Sequence, residues 1–373
     1  MAQKTQEIAL NPGLLARAEV QALTPYQSAR RIVEAAGGRG DIWLNANESA
    51  EAVPYDIEQK ILNRYPDAQP EEVVERYARY AGVGKDQILV TRGGDEGIDL
   101  LVRTFCVPGR DAIVQFPPTY GMYSVCAETT NVRVVNLTTS PENNWAPDTA
   151  KLAETLVADP TVQVVFACSP NNPTGGLLSP DTVEELVEIT RGRAILVIDE
   201  AYIEFAPEST NIPQIAMAPH VVIIRTLSKA FALAGIRCGF LISSPEVIGM
   251  LKKVIAPYPI PTPVSDIAAQ ALSMGGISAM QRRVQGTIKR RADLAQKLLT
   301  IRGVEEVRDS SSNFVLVKFT DGPAVFKALW DSGIIVRDQG RQPTLTNCIR
   351  ITVGTLEENA ELIEKLREVL GER

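Results

Sequence analysis

Lys229 stands in the run Arg225-Thr226-Leu227-Ser228-Lys229-Ala230-Phe231-Ala232-Leu233-Ala234-Gly235-Ile236-Arg237, a single amine among apolar and small residues. A hydroxyl precedes it and a guanidinium follows eight places on. An ammonium held away from water loses hydration, which lowers its pKa. A neutral amine can attack a carbonyl, so Lys229 is a candidate for a Schiff base. Taken alone, it is equally a surface lysine in an apolar run, since lysines are mostly exposed.

Three other segments bear on that choice. Arg92-Gly93-Gly94-Asp95-Glu96-Gly97 opens a helix after a strand, and the bare N–H groups of a helix start suit a phosphate. Ser169-Pro170-Asn171-Asn172-Pro173-Thr174-Gly175-Gly176 follows an apolar strand, where Asn172 can donate to an anionic ring oxygen. Asp199 ends the apolar run Ala194-Ile195-Leu196-Val197-Ile198, so its carboxylate is partly desolvated and needs a partner. A protonated pyridine nitrogen is one, and Tyr202 follows within reach of the same ligand. Each segment alone is also an ordinary turn or helix cap. Together, in this order, they meet the needs of pyridoxal 5'-phosphate: a phosphate cradle, a donor to the ring oxygen, an acceptor for the ring nitrogen and a reactive lysine. Ser228 and Arg237 add a hydroxyl and a guanidinium for the phosphate.

The elements that position these residues alternate. Strands are expected over Gln87–Thr91, Ala112–Gln115, Val132–Val135, Val162–Ala167, Ala194–Ile198, Val221–Ile224 and Gly239–Ile242. Their Val- and Ile-rich runs suit strands buried on both faces. Between them, helices are expected over Gly94–Phe105, Tyr120–Glu128, Asp148–Leu156 and Pro180–Thr190, the last with Ser179 as N-cap and proline at its first position. This alternation predicts an α/β unit with a mostly parallel sheet flanked by helices, which binds ligands at its strand ends. Residues 264–300 read as one long helical region. Beyond it, strands at Asn313–Phe319, Ile334–Arg337 and Cys348–Val353, with helices at Pro323–Asp331 and from Leu356, predict a smaller α+β unit. We expect an N-terminal arm with part of the small domain over 1–45, a large cofactor-binding domain over 46–262 and a small domain over 263–373.

Composition narrows the function classes. The 373 residues carry a net charge of −7, which gives no electrostatic case for a nucleic-acid partner. No apolar run approaches membrane-spanning length, and the first residues lack the apolar core of a secretory signal. The five cysteines, at 106, 126, 168, 238 and 348, have no metal-ligand spacing and read as reduced, mostly buried thiols of a cytoplasmic protein. The single histidine, His220, reads as a strand-entry residue. No P-loop, nucleophile elbow or dinucleotide fingerprint is present.

The sequence resembles the aspartate-aminotransferase-like superfamily of pyridoxal-phosphate enzymes, and within it the histidinol-phosphate aminotransferases. Asn-Asn-Pro-Thr-Gly at 171–175 and Asp-Glu-Ala-Tyr at 199–202 carry the broader likeness. Segments at 23–30, 44–48, 62–66, 117–123, 226–240 and 350–354 carry the narrower one. The resemblance implies the pyridoxal-phosphate transferase fold type I and a homodimer with its active site at the interface. It implies transamination of histidinol phosphate with 2-oxoglutarate, giving imidazole-acetol phosphate and glutamate in histidine biosynthesis. Lys229 is then the cofactor lysine and proton shuttle, Asp199 the ring-nitrogen partner, and Asn172 and Tyr202 the ring-oxygen donors. Gly94, Asp95, Ser228 and Arg237 form the phosphate cradle, Tyr120 stacks on the ring, and Tyr65 reaches the cofactor from the other subunit. Arg350, assisted by Arg337, anchors the substrate, with Tyr26 and Asn47 also contacting it. An aromatic amino-acid aminotransferase is the alternative reading; a phospho-amino-acid decarboxylase or a non-catalytic cofactor-binding protein stands further off.

Overall fold

The computed structural model describes residues 16–24, 40–56 and 62–371. Its largest sheet has seven strands: β2 (Ile88–Thr91), β3 (Ala112–Gln115), β4 (Arg133–Asn136), β5 (Val162–Cys168), β6 (Ile195–Asp199), β7 (Val221–Thr226) and β8 (Gly239–Ile242). The order across the sheet is β2-β8-β7-β6-β5-β3-β4. All the strand pairs are parallel except those made by β8, which runs antiparallel to both β2 and β7. The expected α/β unit is present, and the antiparallel strand is what "mostly parallel" conceals. Apolar side chains from the two faces of the sheet feed two separate cores, closed by helices such as Glu71–Ala81 and Pro180–Thr190 on one side and Gly93–Phe105 and Met122–Thr129 on the other. β4 departs from the fully apolar expectation: it is a sheet edge, and its outer residues Arg133 and Asn136 are exposed.

The direction of β8 decides where the site forms. In parallel strands every C-terminal end lies along one edge, which places Cys168, Asp199 and Thr226 there. Because β8 runs the other way, its first residue, Gly239, pairs with both Thr226 and Thr91. The chain entering β8 therefore brings Arg237 to the edge at which β2 hands over to Gly93–Phe105.

A second sheet, ordered β12-β13-β10-β9, is antiparallel, with β9 at Val304–Val307, β10 at Phe314–Phe319, β12 at Arg337–Asp338 and β13 at Cys348–Thr352. A two-stranded parallel ladder joins β1 (Ile42–Trp43) to β11 (Ile334–Ile335). The strand expected over Ile334–Arg337 is thus divided between two sheets, with Val336 at the division. The single helical region expected over 264–300 is two helices, Thr262–Ala271 and Met274–Leu299. Ser273 starts the second by accepting a hydrogen bond from the Gly276 N–H. The chain turns so tightly there that a Cβ on Gly276 would lie 2.3 Å from the Ala271 carbonyl oxygen. The longer helix crosses from one core to the other: Met280 and Val284 pack with the large sheet, Leu294 and Leu298 with the small one. Near the N-terminus, the short helix Ala18–Ala22 is exposed and tied down by Arg17, whose guanidinium donates to the Thr129 carbonyl at 2.7 Å.

Candidate active site

A cavity of about 660 Å³ opens where the C-terminal edge of the large sheet faces the small one. Gly94, Asp95 and Tyr120 line it from the turns after β2 and β3; Asn172, Asp199 and Tyr202 from those after β5 and β6; Ser228, Lys229 and Arg237 from the β7–β8 connection. Asn47, Arg337 and Arg350 close it from the opposite side. Of the residues expected to form the site, Tyr65 is not in this cavity; it is 81% exposed and its ring stacks on Tyr258 at 4.6 Å. Tyr26 lies outside the described residues. His220 sits elsewhere, with Nε2 3.1 Å from the Thr190 hydroxyl.

One end of the cavity is built for an anion. The helix Gly93–Phe105 begins there, where backbone N–H groups have no partner within the helix. Gly93 has φ +77°, and a Cβ on it would lie 2.8 Å from the Arg237 guanidinium. The Arg237 guanidinium donates to Asp95 Oδ2 at 3.0 Å and approaches the Ser228 hydroxyl at 3.4 Å. Tyr120 donates its hydroxyl proton to the other oxygen of Asp95 at 2.9 Å.

Asp199 lies at the other end. Burial pushes its carboxyl up to about 6, while donors at both oxygens pull the other way: the Tyr123 hydroxyl at 2.7 Å and the Ala201 N–H at 3.0 Å. Glu200, next in sequence, turns into the protein and forms a buried pair with Arg225, whose Nε donates at 2.9 Å. One of the two adjacent carboxylates therefore serves the cavity and the other the core. Tyr123 was not among the expected site residues. The sequence signal was its place three residues after Tyr120, one helical turn on.

Lys229 donates from Nζ to the Ala46 carbonyl at 3.1 Å, and its amine lies 5.7 Å from the centre of the Tyr202 ring. Burial, helped by the nearby Arg350 cation, lowers its pKa to about 8. The Tyr202 hydroxyl accepts from Asn47 Nδ2 at 2.9 Å, leaving its own proton available to a ligand; burial raises its pKa. Arg350 spans the two sides, donating to Asn172 Oδ1 and to the Asn45 carbonyl, each at 2.6 Å. Arg337 is its direct partner across the β12–β13 ladder, so two guanidinium groups enter from adjacent strands. Gln339 and Gln342 also line this wall, and sequence reading did not single them out. A phosphorylated pyridine fits this donor set: an anion cradle at one end, a buried carboxylate at the other, and an amine and a phenol between.

A family model described as aminotransferase class I and II matches residues 41–366. Histidinol-phosphate aminotransferases of Salmonella newport and Escherichia coli O45:K1 are each 55% identical to this chain over 353 residues, which is 95% of it and 96% and 97% of theirs. The chain belongs to the histidinol-phosphate aminotransferases. In fold it is similar to the Sinorhizobium meliloti member in complex with pyridoxal-5'-phosphate, with a TM-score of 0.83 at 22% identity, covering 95% of this chain and 97% of that one. It is a pyridoxal-phosphate-dependent aminotransferase, and the fold and cofactor expected from its sequence hold.

Proposed function

We propose that this aminotransferase moves the amino group of L-histidinol phosphate to 2-oxoglutarate, yielding imidazole-acetol phosphate and glutamate. The observation that carries the reading is the pair Arg337 and Arg350, set opposite each other on adjacent strands across the cavity from Lys229. Guanidinium groups bind phosphate and carboxylate with the same fork, so one anchor can serve both substrates in turn.

The roles follow from position. Gly94, Asp95, Ser228 and Arg237 hold the cofactor phosphate, and Tyr120 forms the wall beside the ring. Asp199 keeps a proton on the ring nitrogen, while Tyr202 and Asn172 face the ring oxygen. Bound pyridoxal phosphate supplies the electron sink for charge developing at the substrate carbon. Lys229 Nζ, which faces the cavity with its pKa lowered by burial, would be the base that takes the proton from the substrate carbon and the acid that gives it back. Asn47 orients the Tyr202 hydroxyl, and Tyr26 completes the substrate contact.

The enzyme acts as a homodimer in which Tyr65 of one subunit reaches the cofactor of the other. Its exposure, beside the exposed Tyr258, supports this reading. The enzyme works in the cytoplasm in histidine biosynthesis; among the described residues no helix is long and apolar enough to cross a membrane. The division between large and small units is better drawn inside the helix Met274–Leu299, between Val284 and Leu294, than at 262/263, because the helix Thr262–Ala271 packs with the large core.

The test is a half-reaction. Cofactor-loaded enzyme is mixed with histidinol phosphate and no acceptor, and the absorbance of the bound cofactor is followed beside a phenylalanine control. Rapid conversion with histidinol phosphate and slow conversion with phenylalanine is expected. Fast conversion with phenylalanine alone would move the enzyme to the aromatic amino-acid aminotransferases.

A further inference from the structure

We propose that Tyr123 is a positioning residue for the reaction: by donating its phenolic proton to Oδ2 of Asp199, it fixes that carboxylate's orientation and keeps it anionic towards the cofactor's ring nitrogen. The inference rests on the role proposed above for Asp199.

Asp199 is 4% exposed, so little water reaches its oxygens and protein donors must replace it. There are two. The Ala201 N–H reaches Oδ1 from the turn that Asp199 itself begins. The other comes from Tyr123, 76 residues away in sequence, at 2.7 Å. That phenol cannot swing aside: it is completely buried, and its ring lies on Phe166 with centroids 4.7 Å apart and planes 9° from parallel. A role in packing alone would need the ring and not the hydroxyl, because phenylalanine fills the same space without a polar atom to satisfy. The hydroxyl sits instead between the Asp199 carboxylate and the Cys168 thiol.

Tyr120 completes the pattern. It stands three residues earlier, with its ring 5.8 Å from that of Tyr123 and nearly perpendicular, and donates to Asp95 at the anion end. One stretch of chain thus supplies a phenol to the carboxylate at each end of the cavity. At the Asp199 end the consequence is electrostatic. Hydrogen bonds to the charged form favour it, so losing the Tyr123 donor raises the proton affinity of Asp199. A carboxyl that keeps the proton leaves the ring nitrogen without it and weakens the electron sink. The other titratable groups facing Asp199 are Cys168, Tyr202, Asp95 and Glu200; none of them supplies a donor to it.

The experiment reads Asp199 directly. In the full-length protein stripped of cofactor, infrared difference spectra against pH report the protonated carboxyl, with Asp199→Asn identifying its band. Tyr123→Phe is expected to move this titration up by about one pH unit or more. In the loaded enzyme the same variant is expected to lower kcat roughly tenfold or more, with KM changed less than about twofold. Phe166→Leu, which loosens the packing and keeps the hydroxyl, should leave the titration in place. An unmoved titration in Tyr123→Phe overturns the proposal even if kcat falls, because the effect is then packing. A moved titration with unchanged kcat also overturns it. Should Tyr123→Phe not fold, 3-fluorotyrosine at position 123 is a stronger donor of nearly the same shape and should move the titration down; no movement overturns the proposal. The role of Asp199 is judged separately, since full activity in Asp199→Asn would defeat that assignment and leave the effect of Tyr123 on the titration standing.

Discussion

Burial acts in opposite directions on two groups that line one cavity: it raises the Asp199 carboxyl to about 6 and lowers the Lys229 ammonium to about 8. Both shifts disfavour the charged form, so each group costs stability at neutral pH when no cofactor is bound. For Asp199 the folded protein binds more protons than the unfolded chain between about pH 3.8 and 6, so stability falls as pH rises through that window. For Lys229 the unfolded chain binds more between about pH 8 and 10.5, so stability rises there. Asp199→Asn and Lys229→Met should each stabilise the cofactor-free protein at pH 7, by on the order of 2 kcal/mol. The Asp199→Asn gain should vanish as pH falls below about 4, and the Lys229→Met gain as it rises past 10. Urea midpoints measured across pH would check both, and a gain constant with pH would point to packing. These two residues were legible in the sequence because a charge at the end of an apolar strand, or inside an apolar run, needs a reason. Tyr123 was not legible in the same way. Nothing in Tyr120-Gly121-Met122-Tyr123 tells which strand end the second phenol will meet.

At the scale of elements, the short apolar strands were readable because burial on both faces leaves an unbroken Val/Ile signature. What escaped is what burial does not write into sequence. β9, Val304-Glu305-Glu306-Val307, hides its pairing behind two acids that meet Lys318 and Arg308 on the exposed side. The break before Met274 escaped because Ala271 and Leu272 continue the buried apolar pattern of the first helix up to Ser273, which caps the second. The antiparallel direction of β8 also escaped, and the anion end of the site depends on it. There Gly239 presses against Gly93, so that a Cβ on Gly239 would lie 2.6 Å from the Gly93 carbonyl carbon. Gly239→Ala should push the cradle open. We expect cofactor affinity to fall tenfold or more by titration of stripped enzyme, with about 1–3 kcal/mol lost in stability. Unchanged affinity would show that the cradle tolerates the displacement.

For the whole molecule, the proposed dimer makes a prediction that no single subunit can. A chain with Tyr65→Ala keeps its own Lys229, and a chain with Lys229→Ala keeps its own Tyr65. Mixed by refolding together, half the dimers should be hybrids, each with one complete site. At a cofactor concentration that fills complete sites but not sites lacking Tyr65, about a quarter of the wild-type activity should return from two impaired proteins. No recovery would place Tyr65 outside the partner's site. The cavity itself joins two units: the Lys229 amine comes from the large sheet and the Arg350 guanidinium from the small one. The helix Met274–Leu299 runs beneath both, its first turns held in one core and its last in the other. Dissecting this chain into two autonomous fragments will therefore fail at any cut within that helix. Each piece would keep half a rod with a bare apolar stripe, soluble only when reunited with the other.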